Sequence, residues 1–232
     1  MVKILKNEGN FEIVAVTYGL KGEKPLQLIE LAGRVSYQSQ GKITDTSATK
    51  FVEMLRKLGH ESVLEFSSMI VQFNNVSRGF THELVRHRLA SYVQESTRRV
   101  DESDFEVVIP PTKDPDEKLV ELILPNDKKI KVSFRDWMDL NEQMYRGLRK
   151  AEWKCEDSRQ VIPIGIKSQI IVGANFREWR HIFKLRCAPG AHWEIRRVMI
   201  NLLKDVQKRV PIVFDDFKVS EDGKSAVIIN RI

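Results

Sequence analysis

Cysteine is all but missing from this chain. Cys155 and Cys187 lie 32 residues apart with no C-x-x-C pair, so neither a disulfide framework nor a zinc site is indicated. No apolar run approaches the ~20 residues that span a bilayer. Ile4 and Leu5 are followed at once by Lys6, Asn7 and Glu8, not by the apolar core of a signal peptide. The expectation is a cytoplasmic protein with no membrane partner. Glycine-rich phosphate cradles are missing too: there is no G-x-G-x-x-G and no Walker loop. Any dinucleotide is therefore held by something else. Internal repeats and low-complexity segments are also absent.

What remains has the balance of a globular protein. Of 232 residues, 42% are hydrophobic and 30% charged, which sets aside disordered, collagenous and fibrous classes. The length suits one substantial domain, taken as residues 1–232. A net charge of +6 suggests a phosphate-bearing partner without choosing between nucleic acid, nucleotide and cofactor.

Periodicity gives few strands and several helices. Strands are expected over residues 11–17, 64–76, 105–109 and 164–174. Helices are expected over 25–34, 47–58 (Ser47 as N-cap, Gly59 as stop), 77–89, 176–186 and 192–209. A longer one runs from Phe134, with Trp137, Leu140, Met144, Leu148, Ala151 and Cys155 as its apolar face. Trp153, Trp179 and Trp193 also fit helical core positions. Residues 110–115 read as a loop. Asn126–Asp127 and Asp222–Gly223 turn two hairpins, the second spanning about 217–230. Without regular β-α-β alternation, this is an α+β fold with a mixed sheet flanked by long helices, not a doubly wound sheet.

The arginines are clustered. Arg78, Arg86, Arg88, Arg98 and Arg99 fall within 22 residues, interleaved with His82, His87, Ser91, Ser96, Glu83 and Glu95. Guanidinium forks hold phosphate bidentately, and hydroxyls complete the shell. Leu84, Val85, Leu89 and Val93 within the same run argue against a freely solvated basic face. His60–Glu61 and His82–Glu83 begin like zinc-protease motifs, but His87 follows His82 by five residues, a rotation of ~140° that takes the pair off one helix face. No metal site is expected. Cys187 beside Arg186 reads first as a buried thiol and only second as a nucleophile.

The segment Arg86-His87-Arg88-Leu-Ala-Ser91-Tyr-Val-Gln-Glu-Ser96-Thr-Arg98 matches R-H-R-x-x-S-x-x-x-x-S-x-R, the signature of the flavin-dependent thymidylate synthases. With six positions specified, a chance match is on the order of 10⁻⁶. Arg34-Val35-Ser36, residues 59–65 (GHESVLE), residues 159–163 (RQVIP), Asn175-Phe176-Arg177, Leu185-Arg186 and Trp193-Glu194-Ile195 resemble further family segments in order. The resemblance covers roughly residues 10 to 215.

This resemblance implies a homotetramer with active sites between subunits, each holding FAD and dUMP. The flavin, reduced by NADPH, carries the one-carbon unit of methylenetetrahydrofolate to the uracil 5-carbon, giving dTMP without a cysteine nucleophile. By position, Arg86, His87 and Arg88 contact FAD. Ser36, Gln94, Asn175, Arg177 and His181 lie on the cofactor side, and His60, Ser62 and Glu65 near the flavin. For dUMP the resemblance implies Glu83, Arg86, the loop of Gln94, Glu95, Ser96, Thr97 and Arg98, and Arg159 and Arg186. Ser96 and Arg98 suit the phosphate. Arg186 suits the uracil edge, where it would stabilise negative charge on the ring. Glu83 stands where Gln is frequent, Arg99 where Tyr is, His181 where Asn occurs, and Gly190 where a His can sit. The competing class is a basic nucleic-acid-binding module, which predicts steep salt dependence and no chromophore. No RNP, KH or zinc-finger pattern supports it, and a purely structural protein leaves the polar motif unexplained.

Overall fold

The computed structural model describes residues 1–6, 8–21 and 23–229. In chain order, β1 (Lys3–Lys6) and β2 (Asn10–Val16) lead to α1 (Pro25–Ser36) and α2 (Ser47–Lys57). The strand β3 (Ser68–Ser77) runs directly into α3 (Arg78–Leu84), followed by β4 (Ser91–Gln94) and β5 (Glu106–Ile109). The hairpin β6 (Val120–Ile123) and β7 (Lys129–Val132) precedes α4 (Phe134–Lys150) and the single turn α5 (Cys155–Ser158). Then β8 (Lys167–Asn175) runs straight into α6 (Phe176–Arg186). Last come α7 (Trp193–Arg209), α8 (Pro211–Phe214), and a hairpin of β9 (Phe217–Val219) and β10 (Ala226–Ile228).

A four-stranded sheet is ordered β2-β3-β8-β4, β1 pairs with β5 in parallel, and the two hairpins are antiparallel. The fold is α+β. By its internal contacts the chain divides into two compact units. One comprises Met1–Asn10, Asn74–His82 and Gln94–Ile170; the other comprises Phe11–Phe73, Glu83–Val93 and the chain from Ile171 onwards. Among the described residues no helix is long and apolar enough to cross a membrane.

In the first unit, Val2, Phe105, Val107, Ile109, Met138, Tyr145 and Ile166 form one buried cluster. Ser133 caps α4, accepting from the Asp136 amide at 3.1 Å while Asp136 accepts from the Ser133 amide at 2.8 Å. The face of α4 differs from the one its spacing suggests. Met138, Glu142 and Tyr145 are buried, and Trp137, Leu140 and Met144 are exposed. The reason is visible at Glu142, whose Oε1 accepts from the Phe105 amide at 3.0 Å and is drawn inward with Tyr145. The helix also ends at Lys150 instead of running to Cys155, because Glu152 turns left-handed (φ 65°). Trp153, like Trp137, is exposed, while Trp179 fills the core of the second unit.

That second core is aromatic. Phe176, Trp179 and Phe183 of α6 pack with Phe214 of α8, and Trp179 Nε1 donates to the Met69 carbonyl at 3.0 Å. Helices α1 and α2 meet where Gly33 leaves room: a Cβ there would sit 2.7 Å from Leu55 Cδ1. Thr46, not Ser47, occupies the N-cap position of α2, and Gly59 (φ 75°) follows its end. The strand expected from residue 64 starts only at Ser68, because Glu61–Phe66 winds into a 3₁₀ turn. Helix α3 stops at Leu84 and not at 89, since Tyr92 Oη reaches the carbonyls of Leu84 (2.9 Å) and His87 (2.8 Å) and holds the intervening loop. The C-terminal hairpin forms, with Gly223 at φ 69°; Asn230, the end of its expected span, lies outside the described residues.

Candidate active site

A polar cleft lies in the second unit, a cavity of about 1090 Å³ walled by α6, the Arg86–Arg88 loop and the 3₁₀ turn. Helix α6 begins there because Asn175 Oδ1 accepts from the Glu178 amide at 2.9 Å. Its helical spacing then turns Arg177, His181 and Lys184 to the cleft while Trp179, Ile182 and Phe183 go to the core. Arg177 Nη1 lies 2.5 Å from Glu65 Oε1 across the opening. Arg180 is buried and holds Asp216 in a fork (2.7 and 2.7 Å) and Glu61 by its Nε at 3.2 Å. Burial pushes the Asp216 carboxyl up, but the Arg180 fork and the nearby Arg56 outweigh it and hold the group below the usual range.

The R-H-R loop alternates in exposure: Arg86 and Arg88 face solvent and the cleft, and His87 is buried. Its Nε2 accepts from Arg186 Nε at 2.9 Å. Arg186 also donates from Nη1 to Glu83 Oε2 and from Nη2 to the Glu83 carbonyl, each at 2.8 Å. All three guanidinium nitrogens are thus fixed. Burial first, then the charges of Arg186 and His181, lowers the His87 pKa to about 4, so the imidazole is neutral at pH 7. The His181 ring lies edge-on to it at 5.5 Å. Cys187 is buried and its thiol is pushed well up by that burial, the opposite of an activated nucleophile.

The motif residues from Gln94 onward lie in the first unit. Gln94 Nε2 donates to Thr81 Oγ1 at 2.8 Å and to Ser168 Oγ at 3.4 Å. The Glu95 amide donates to the Gln169 carbonyl at 3.0 Å. Ser96 Oγ accepts from the Arg98 amide at 3.4 Å, and the Arg98 fork rests on Glu156 at 2.9–3.1 Å. Thr97 and Arg159 line a second cavity of about 350 Å³ with Arg78, His82 and Gln160. The motifs assign no role to Arg78, His82 or Gln160; only the density of basic residues marked the first two. Nearby Glu102 is pushed up to about 7 by burial and by Glu95, against the pull of Arg78 and Lys167.

Of the cofactor-side residues expected from sequence, Glu65, Arg86, His87, Arg88, Asn175, Arg177 and His181 border the one cleft. Ser36, His60 and Ser62 are exposed outside its walls, His60 Nδ1 lying 3.2 Å from Tyr37 Oη. Gly190 is exposed, and a Cβ built on it meets nothing within 4 Å, so a larger residue would fit. Arg99 is exposed, its amide on the Ser96 carbonyl at 2.9 Å.

Comparison with known proteins gives the family of the chain. The family model of the thymidylate synthase complementing proteins matches residues 16–212. The flavin-dependent thymidylate synthase of Mycobacterium avium is 34% identical over 199 residues, 83% of this chain and 80% of that one. Its counterpart in Mycolicibacterium gilvum is 36% identical over 200 residues, again 83% and 80%. A crystal structure of the UMP/dUMP methylase PolB from Streptomyces cacaoi, bound with 5-Br dUMP, shares the fold. Its TM-score is 0.69 at 21% identity, covering 92% of this chain and 96% of that one. The chain belongs to the thymidylate synthase complementing protein family.

Proposed function

We propose that this chain is a flavin-dependent thymidylate synthase that converts dUMP to dTMP in the cytoplasm. In this reading FAD is the cofactor, NADPH the reductant and methylenetetrahydrofolate the one-carbon donor. Residues 1–232 act as one functional domain, and a homotetramer builds its sites between subunits. The observation that carries the reading is the cleft of the second unit, where the R-H-R loop and α6 gather Arg86, Arg88, Arg177 and Lys184 around Asn175 and His181. That donor set fits a dinucleotide pyrophosphate without any glycine cradle. Ser36, His60 and Ser62 lie on exposed surface outside it, which supports a cofactor held by more than one chain.

Bound flavin would supply the reducing equivalents; the chain's own residues bind and polarise. Arg186, fixed by Glu83 and His87, presents a cation whose place is set before substrate arrives, the arrangement that stabilises charge developing on the uracil ring. Ser96 and Arg98 take the phosphate. Arg98 must leave Glu156 to do so, an exposed pair of the kind that exchanges readily. Thr97 and Arg159 complete the nucleotide side.

The test is an absorbance spectrum of the purified protein, repeated anaerobically with NADPH in the presence and absence of dUMP. Flavin bands that bleach with NADPH, at a rate that dUMP changes, are expected. A colourless protein that takes up no added FAD, and binds polynucleotide with steep salt dependence, would overturn the reading.

A further inference from the structure

Glu178 is skipped by the family motifs quoted above. It sits at the third position of α6, where an acid commonly offsets the exposed amides and dipole of a helix start. Such a residue ordinarily points to water. Here the side chain is only 5% exposed, and its Oε1 lies 3.7 Å from Nδ1 of the equally buried His87. A stabilised helix end does not require that burial.

The other face of His87 fixes the chemistry of its ring. Nε2 is 2.9 Å from Arg186 Nε, and a guanidinium nitrogen only donates. Nε2 must therefore hold a lone pair, and the proton of the neutral imidazole must be on Nδ1, the nitrogen that faces Glu178. In the other tautomer two N–H groups, on His87 and on Arg186, would point at each other. We propose that Glu178 is a positioning residue of this site: by favouring the proton on His87 Nδ1, it keeps Nε2 free to accept from Arg186 and so fixes the aim of that guanidinium.

The charged and titratable groups around the ring are Arg186, His181 and Glu178, with Tyr92 Oη on the His87 carbonyl. Burial, Arg186 and His181 oppose protonation of the ring, which leaves tautomer choice as the remaining freedom. Arg186 sets that choice from one side and Glu178 from the other. Burial raises the Glu178 pKa, against the pull of His181, but in either protonation state a carboxyl oxygen, negative or partly so, faces Nδ1 at 3.7 Å. The role of Glu178 on His87 stands on geometry alone; its consequence for turnover rests on the proposed function.

The experiment is long-range ¹H–¹⁵N NMR of ¹⁵N-histidine-labelled protein at pH 7, with His87 identified among the five histidines by its loss in H87Q. The wild type should show His87 with a protonated Nδ1 and a bare Nε2. E178L should shift it toward the Nε2–H form and lower kcat about tenfold, with KM for dUMP changing less than about threefold. E178Q retains an acceptor oxygen and should restore both the tautomer and most of kcat. A wild-type His87 that is Nε2–H or doubly protonated overturns the proposal, and that spectrum decides even if E178L does not fold. An unchanged tautomer in folded E178L overturns it as well. If the tautomer behaves as stated but R186A leaves turnover intact, the reading of Arg186 fails while the role of Glu178 on His87 survives.

Discussion

Arg186 makes its three side-chain hydrogen bonds to two residues about a hundred positions earlier, Glu83 and His87. A guanidinium so held loses little freedom when substrate binds, which is the condition for electrostatic stabilisation to act in the chemical step. Arg186→Ala should therefore lower kcat by about 10²–10³ while the purified variant keeps its flavin absorbance. Parallel loss of flavin would make Arg186 structural. The same view assigns Cys187 no chemistry. Its thiol is buried and pushed up in pKa, so Cys187→Ala should keep most of its activity per folded molecule and the native thiol should resist iodoacetamide. Rapid alkylation with matching inactivation would contradict this. At this scale the R-H-R motif was legible because residue identity at fixed spacing carries it. The engagement of the Glu83 carboxylate by Arg186 was not, being a contact across 103 positions that no local pattern encodes.

The elements show where local rules suffice and where tertiary contacts overrule them. Helix α6 matches its expected bounds because Asn175 caps it and an uninterrupted apolar face follows. Helix α4 carries two stripes at helical spacing. The more obvious one, through Trp137, is exposed, because the other meets Phe105, elsewhere in the first unit, through Glu142 and Tyr145. Within the second unit, the link from α6 to the segment before β9 is the Arg180–Asp216 fork, with Arg56 of α2 at 3.3 Å from the same carboxylate. Removing one partner of a buried pair strands the other. Asp216→Ala should cost about 3 kcal/mol, near the low end for such pairs because Glu61 and Asp215 remain. The pH dependence has a definite sign. The folded Asp216 pKa lies below its unfolded value, so its stabilisation is complete above about pH 4 and is lost as pH falls through the lower folded pKa. The melting-temperature gap between wild type and variant should be full at pH 7 and shrink in stronger acid. A gap that widens there would refute the assignment.

For the whole molecule, the expected site residues divide between the two compact units: Arg86, His87, Asn175, Arg177 and Arg186 in one, Ser96, Thr97, Arg98 and Arg159 in the other. Sequence order alone, with its motifs strung from Ser36 to Arg186, carries no sign of this division. Leu89 and Val93, which flank the R-H-R loop, and Phe66 of the neighbouring turn are exposed, as apolar groups around a shared site would be before a second chain covers them. Sites built between subunits could draw Arg159 from one chain and Arg186 from another. Arg159→Ala and Arg186→Ala proteins, each inactive alone, should then complement when unfolded together and reassembled. A random equal mixture gives each site an even chance of an intact residue from either contributor, so about one quarter of sites regain both arginines. If every site draws both arginines from a single chain, no mixture restores activity. Recovery near one quarter of wild-type turnover, in particles of four times the 26.9 kDa chain mass, would establish the shared site. Tetramers without recovery would place Arg159 and Arg186 in one site from one chain.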